Sequence, residues 1–174
     1  MFGYGSLLRR AGGLPCHLLG HRRAWNVAMD NRRTIPGYKY YVDPETGERP
    51  AVHVAFLNIY PAPEGGVNGI ALPVTPEALA QLDQRERNYV RIDVTPLLDV
   101  DLGGTVWTYL GSADARERFE TGTAVVSQEY FDRIREGFAT AGGLDEFDRS
   151  TDRPTVPLRR LRRVDLPPPP PAQR

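Results

Sequence analysis

Five stretches of the chain are rich in β-branched and aromatic residues: CHLLGHRRAWNVAM, AVHVAFLNIY, VNGIALPV, YVRIDVTPLLDV and TVWTYLG. Such side chains suit a pleated, half-buried surface, so each stretch is expected as a strand. Turn-forming clusters separate them: MDNRRTIPG, DPETGERP, PAPEGG and DLGG. With a short first strand the count is five or six. Only two helices are readable. Thr75 is placed as an N-cap with Pro76 at the first helical position, and the pattern runs to about Glu86. Ser127 caps the second, where Tyr130, Ile134 and Phe138 form an apolar stripe that Gly142 and Gly143 end. LDEFDR adds one short turn. Strands this numerous, without steady βαβ alternation, specify an α+β protein with a strongly curved or closed sheet.

The 174 residues suffice for one domain with a real core. Twenty-two basic and 22 acidic residues leave a formal net charge of zero, which argues against bulk capture of nucleic acid or membrane. Lys39 is the sole lysine, so Schiff-base or phosphate-loop chemistry has one candidate, in an aromatic stretch, GYKYYV, without a phosphate loop. A single cysteine, Cys16, makes no internal disulfide. No apolar run approaches a membrane span and no leader pattern is visible, so a cytoplasmic location is expected. From Thr151 onward six arginines face two aspartates, and five consecutive prolines follow. The folded domain is therefore expected over residues 1–153, with a flexible Pro/Arg-rich tail over 154–174.

Three candidate sites stand out. GYGSLL at the start is not a nucleophile elbow, because Leu8 stands where the second glycine belongs; it fails the dinucleotide fingerprint at the same residue. His17 and His21 are close in sequence, but four residues of extended chain place them about 13 Å apart, too far to share one zinc. No metal site is expected. Glu86 stands where a helix gives way to a strand, at a sheet's rim, and a glutamate there opposes the helix dipole. It reads equally as a solvated surface residue or as a functional one that tolerates local conflict.

Taken together, FGYGSLL and GIALPVTPEALAQLDQRERNYVRIDV resemble the γ-glutamylcyclotransferase-like superfamily, with TVWTYLG and SQEYFDRIREGFATAGGL similar to its tyrosine-bearing strand and closing helix. The resemblance covers roughly Phe2 to Thr155. It implies a small mixed β-barrel with helices packed outside, and cleavage of a γ-glutamyl amide to 5-oxoproline and a free amine or amino acid, as in glutathione metabolism. It implies no cofactor. Tyr4, Gly5, Ser6 and Leu7 would form the substrate loop, Glu86 the general acid/base, and Tyr89 and Tyr109 would line the cavity. Leu7 departs from the asparagine of many relatives, which removes a side-chain hydrogen bond but no backbone donor. The glycines are expected to let the turn's N–H groups converge on substrate oxygens, through conformations open to glycine alone.

Two rival readings remain. One is a non-catalytic member of the fold that binds a small ligand or a protein. The other is an interaction protein using Arg159, Arg160, Arg162 and Arg163 on phosphate, disfavoured by the lack of interleaved aromatics. The expected partner is a small γ-glutamyl compound, with no nucleic acid and no membrane, on a monomer or homodimer.

Overall fold

The computed structural model describes residues 1–9 and 12–168. A two-residue strand, β1 (Phe2–Gly3), leads into a 3-10 turn over Ser6–Arg9. β2 (Leu14–Asp30), β3 (Lys39–Val42) and β4 (His53–Ala71) follow, and β2 and β4 pair antiparallel from Leu14 with Ala71 to Asp30 with His53. This pairing corrects one expectation. PAPEGG does not end a strand; it lies inside β4 as an irregularity, where the register shifts between Leu19 and His21. Gly65 permits the close approach, since a Cβ there would lie 2.4 Å from the His21 carbonyl oxygen.

α1 (Pro76–Arg85) begins as the sequence predicts, with the Thr75 hydroxyl accepting from the Ala78 N–H at 3.2 Å. β5 (Tyr89–Asp93) and β6 (Trp107–Gly111) form an antiparallel pair. α2 (Ala113–Thr121) was not expected: its one fully buried side chain is Ala115, so it carries too little apolar periodicity to read. β7 (Ala124–Ser127) runs parallel to the start of β4 and leads directly into α3 (Gln128–Thr140), with α4 (Leu144–Arg149) behind it.

The chain does not stop there. β8 (Leu158–Arg159) pairs with β7, and β9 (Arg162–Asp165) pairs with β3. Between them Leu161 is 2% exposed, in a cluster with Val54, Phe56 and Val125. The folded body therefore extends past the expected limit at Arg153, because backbone pairing does not depend on the arginine side chains. Of the five prolines, Pro169 to Pro171 lie outside the described residues.

Among the described residues nine strands thus replace the expected five or six, in one five-stranded and two two-stranded sheets. The main sheet curls into a half-barrel that does not close, rather than a complete barrel. Its hollow is filled by α3 and α4. Trp25 meets Tyr130 edge-on at 5.9 Å and Phe131 at 5.1 Å, and Phe138 stacks on Phe147 at 4.4 Å. Full burial of side chains such as Phe138 and Phe147 stabilises the fold by roughly 1.5–3 kcal/mol each.

Candidate active site

The first eight residues are held from three sides. β1 is paired with the end of β4, through Phe2 with Ala71 and Gly3 with Ile70. The turn closes through a hydrogen bond from the Leu8 N–H to the Gly5 carbonyl at 3.0 Å. Arg23, wholly buried, donates Nε to the Tyr4 carbonyl at 2.9 Å. The same guanidinium donates to Ser150 Oγ at 2.8 Å and to the Asn68 carbonyl. It lies over the rings of Phe138 and Phe147, at 4.8 and 5.0 Å from their centroids. Burial lowers its pKa from 12.5 to about 9; among the described residues no carboxylate pairs with it, and the charge of Glu146 only partly offsets the burial.

The glycines serve space rather than unusual dihedrals. Neither Gly3 nor Gly5 has a positive φ, which corrects the expectation of conformations reserved for glycine. A Cβ on Gly3 would stand 2.6 Å from the Leu7 Cβ, whereas one on Gly5 would meet Leu57 at an ordinary 3.4 Å. The motif is therefore a short strand running into a 3-10 turn. Among the described residues, the N–H groups of Gly5, Ser6 and Leu7 have no hydrogen-bond partner.

Glu86 is the C-cap of α1. Its N–H donates to the Leu82 carbonyl at 2.8 Å, and its carbonyl accepts from the Tyr89 N–H at 2.9 Å. The backbone thus bends immediately toward β5 and holds the side chain at the rim. The carboxylate side chain is 22% exposed. Arg85 donates two N–H groups to Oε1, at 2.9 and 2.6 Å; Oε2 has no partner among the described residues.

Tyr4 through Leu7 line one cleft together with Glu86, Tyr89 and Tyr109. Five further residues line it that the sequence did not single out for the cleft: Phe2, Gly3, Leu57, Thr108 and Tyr130. Thr108 donates its hydroxyl to the Phe2 carbonyl at 3.0 Å, so it braces β1. Tyr130 thus serves both the apolar stripe of α3 and the cleft wall. Tyr4 donates to the Tyr109 carbonyl, Tyr89 to the Leu57 carbonyl and Tyr109 to Asp83 Oδ1, each at 2.7 Å. Their hydroxyl protons are therefore committed, and the rings form the walls. Burial raises the pKa of Tyr4, Tyr89, Tyr109 and Tyr130, and the negative charge of Glu86 raises each further. One carboxylate thus faces a set of neutral phenols.

Among the described residues no group of histidine, cysteine and carboxylate side chains is arranged to hold a metal ion. His17 instead bridges Asp99 and Glu146, at 2.7 Å to each.

A curled sheet closed on one side by helices, with its first turn facing a helix-ending carboxylate, defines a cyclotransferase-like α+β protein. A family model described as gamma-glutamyl cyclotransferase, AIG2-like, matches residues 1–132, and the chain belongs to that family. A solved structure named gamma-glutamyl cyclotransferase is similar at 17% identity over 91% of each chain, with a TM-score of 0.53. A second, from Homo sapiens and titled as an uncharacterized protein, is similar at 17% identity over 91% of each chain, with a TM-score of 0.52. These two share the fold. No curated protein sequence matches the chain.

Proposed function

We propose that the cleft is the active site of a γ-glutamyl cyclotransferase-type enzyme. The observation that carries this reading is the placing of the Glu86 carboxylate in the same cleft as the Tyr4–Leu7 turn. In this reading the substrate's α-amine attacks its own γ-carbonyl carbon. A C–N bond closes the five-membered ring, the original amide C–N bond breaks, and 5-oxoproline and a free amine leave. No water is consumed and no cofactor takes part.

Attack within one molecule gains mainly from holding the folded rotamer, worth up to ~7–11 kcal/mol of barrier. The tyrosine rings and Leu57 give the cleft the shape to do so. Glu86 Oε2 takes the proton from the substrate ammonium and returns it to the departing nitrogen, so the carboxylate ends the cycle as it began. The N–H groups of Gly5, Ser6 and Leu7 are donors for the substrate's carboxylate or for the carbonyl oxygen as it gains charge.

Glu86→Gln is expected to lower 5-oxoproline release from a panel of γ-glutamyl compounds by about 10²–10⁴-fold. Its melting temperature should stay near that of the parent, because the helix cap uses the Glu86 backbone. Parent-level turnover in this variant would refute the assignment. The rival reading, a non-catalytic ligand-binding protein, is favoured by one observation: Arg85 occupies Oε1. That reading expects γ-glutamyl compounds to bind and no 5-oxoproline to appear from any of them.

A further inference from the structure

The cleft does not end at Glu86. Beyond it lies a wider basin that shares Ser6, Leu7, Glu86, Tyr89 and Tyr130 with the cleft. Its remaining wall mixes aromatic rings, among them Tyr38, Tyr41 and Phe56, with charged side chains in which cations outnumber carboxylates. Lys39, Arg85, Arg133 and Arg163 line it, against two carboxylates, Glu86 and Asp165.

Each arginine already has a carboxylate: Arg85 has Glu86, Arg133 has Glu129 and Arg163 has Asp165. Lys39 has none among the described residues. Its ammonium lies over the Phe56 ring, 4.4 Å from the centroid, and 5.2 Å from that of Tyr38. The side chain is half-buried at the start of β3, where β9 pairs beside it. Burial, and the nearby charges of Arg163 and Arg85, pull its pKa down from 10.5 to about 8; Glu86 and Asp165 act against that shift. A cation held this way is short of an anion.

We infer that the basin is a subsite for the group released from the γ-glutamyl amide, and that Lys39 binds a carboxylate on it. This inference rests on the proposed function and narrows it. The preferred substrates are then γ-glutamyl amino acids or peptides, whose released part carries a carboxylate. Amides of uncharged or cationic amines lack the group that Lys39 needs. The glutamyl part faces the Gly5–Leu7 donors, so the two ends of one substrate go to two separate sites.

The test compares γ-glutamyl-alanine with its near-isostere γ-glutamyl-isopropylamide, by kcat/KM for 5-oxoproline release. The parent should prefer the carboxylate compound by about 10- to 100-fold, the factor a hydrogen bond between charged groups supplies. Lys39→Met should bring that ratio close to one, and an unchanged ratio would overturn the subsite. A second measurement needs no turnover and is made on Glu86→Gln, which holds the compounds without consuming them. Because the chain has one lysine, ¹⁵N-lysine labelling gives a single side-chain ammonium signal. Its titration midpoint should rise when γ-glutamyl-alanine is added, and should not move with the isopropylamide. If no compound yields 5-oxoproline, the catalytic reading fails, yet a rise specific to γ-glutamyl-alanine still supports the subsite. Equal midpoints with both compounds remove it.

Discussion

Glu86 and Arg23 are charged side chains held in opposite ways. Glu86 sits at a rim, capped through its backbone, with one carboxylate oxygen tied to Arg85 and the other without a partner. Arg23 is wholly buried and spends three nitrogens on Tyr4, Ser150 and Asn68. The first was legible in the sequence, because a glutamate at a helix end conflicts with the dipole and so draws notice. The second was not. Strand alternation places Arg23 inward beside His21 and Trp25, but arginine is almost never fully buried without a partner, so residue type pointed the other way. The structure resolves this by giving the guanidinium carbonyls and aromatic faces instead of a carboxylate. Arg23→Met removes the donors and strands the Tyr4 carbonyl. It should cost about 1–3 kcal/mol for each buried acceptor left unpaired, read as a lower urea midpoint. It should also weaken binding of γ-glutamyl compounds, since the turn loses its brace from below. A variant with parent stability would show that the Tyr4 carbonyl finds another donor.

At the scale of elements, caps and glycines carried the legible part. Thr75 and Ser127 start α1 and α3 where their side-chain chemistry predicts, since each accepts from an N–H three residues on. The missed elements lack such signals. β8 and β9 carry arginines that look like a solvated tail, and their reason to fold is the backbone edge offered by β7 and β3. Leu161 is the one residue there with a core role, so Leu161→Ala should cost about 2–5 kcal/mol, measured by chemical denaturation. Loss of β9 pairing would also loosen the basin beside Lys39. The opening turn gives a sharper contrast. Gly3→Ala drives a methyl group against Leu7 at 2.6 Å, so the 3-10 turn must shift. Gly5→Ala meets only ordinary packing at 3.4 Å. Gly3→Ala should therefore lower both melting temperature and affinity for γ-glutamyl compounds more than Gly5→Ala does. The reverse order would mean that the turn's shape depends on Gly5 after all.

At the scale of the whole molecule, three charged groups each add to how stability responds to pH, each in its own window. Asp30, hydrogen-bonded by Arg32, has its pKa lowered from 3.8 to about 2. Its contribution is present above 3.8 and is lost as pH falls toward 2. His17 is partly buried, which lowers its pKa, but Asp99 and Glu146 outweigh that and the net shift is upward from 6.5. Its contribution is therefore full below pH 6.5 and disappears as pH rises through the higher folded value. Lys39 has the opposite sign. Its folded pKa, about 8, lies below its ordinary 10.5, so the unfolded chain holds the proton more firmly across that interval. Its unfavourable contribution is full below pH 8 and fades as pH rises to 10.5. Folding raises the pKa of the buried tyrosines above their ordinary 10, so their own pH-dependent contribution also enters at the upper end of this range. The difference between parent and Lys39→Met cancels them. Lys39→Met should gain stability relative to the parent at neutral pH, and that gain should shrink steadily between pH 8 and 10.5 in urea denaturation. A difference flat across that interval would mean that Lys39 is solvated in the folded protein. The basin would then hold no cation in want of an anion.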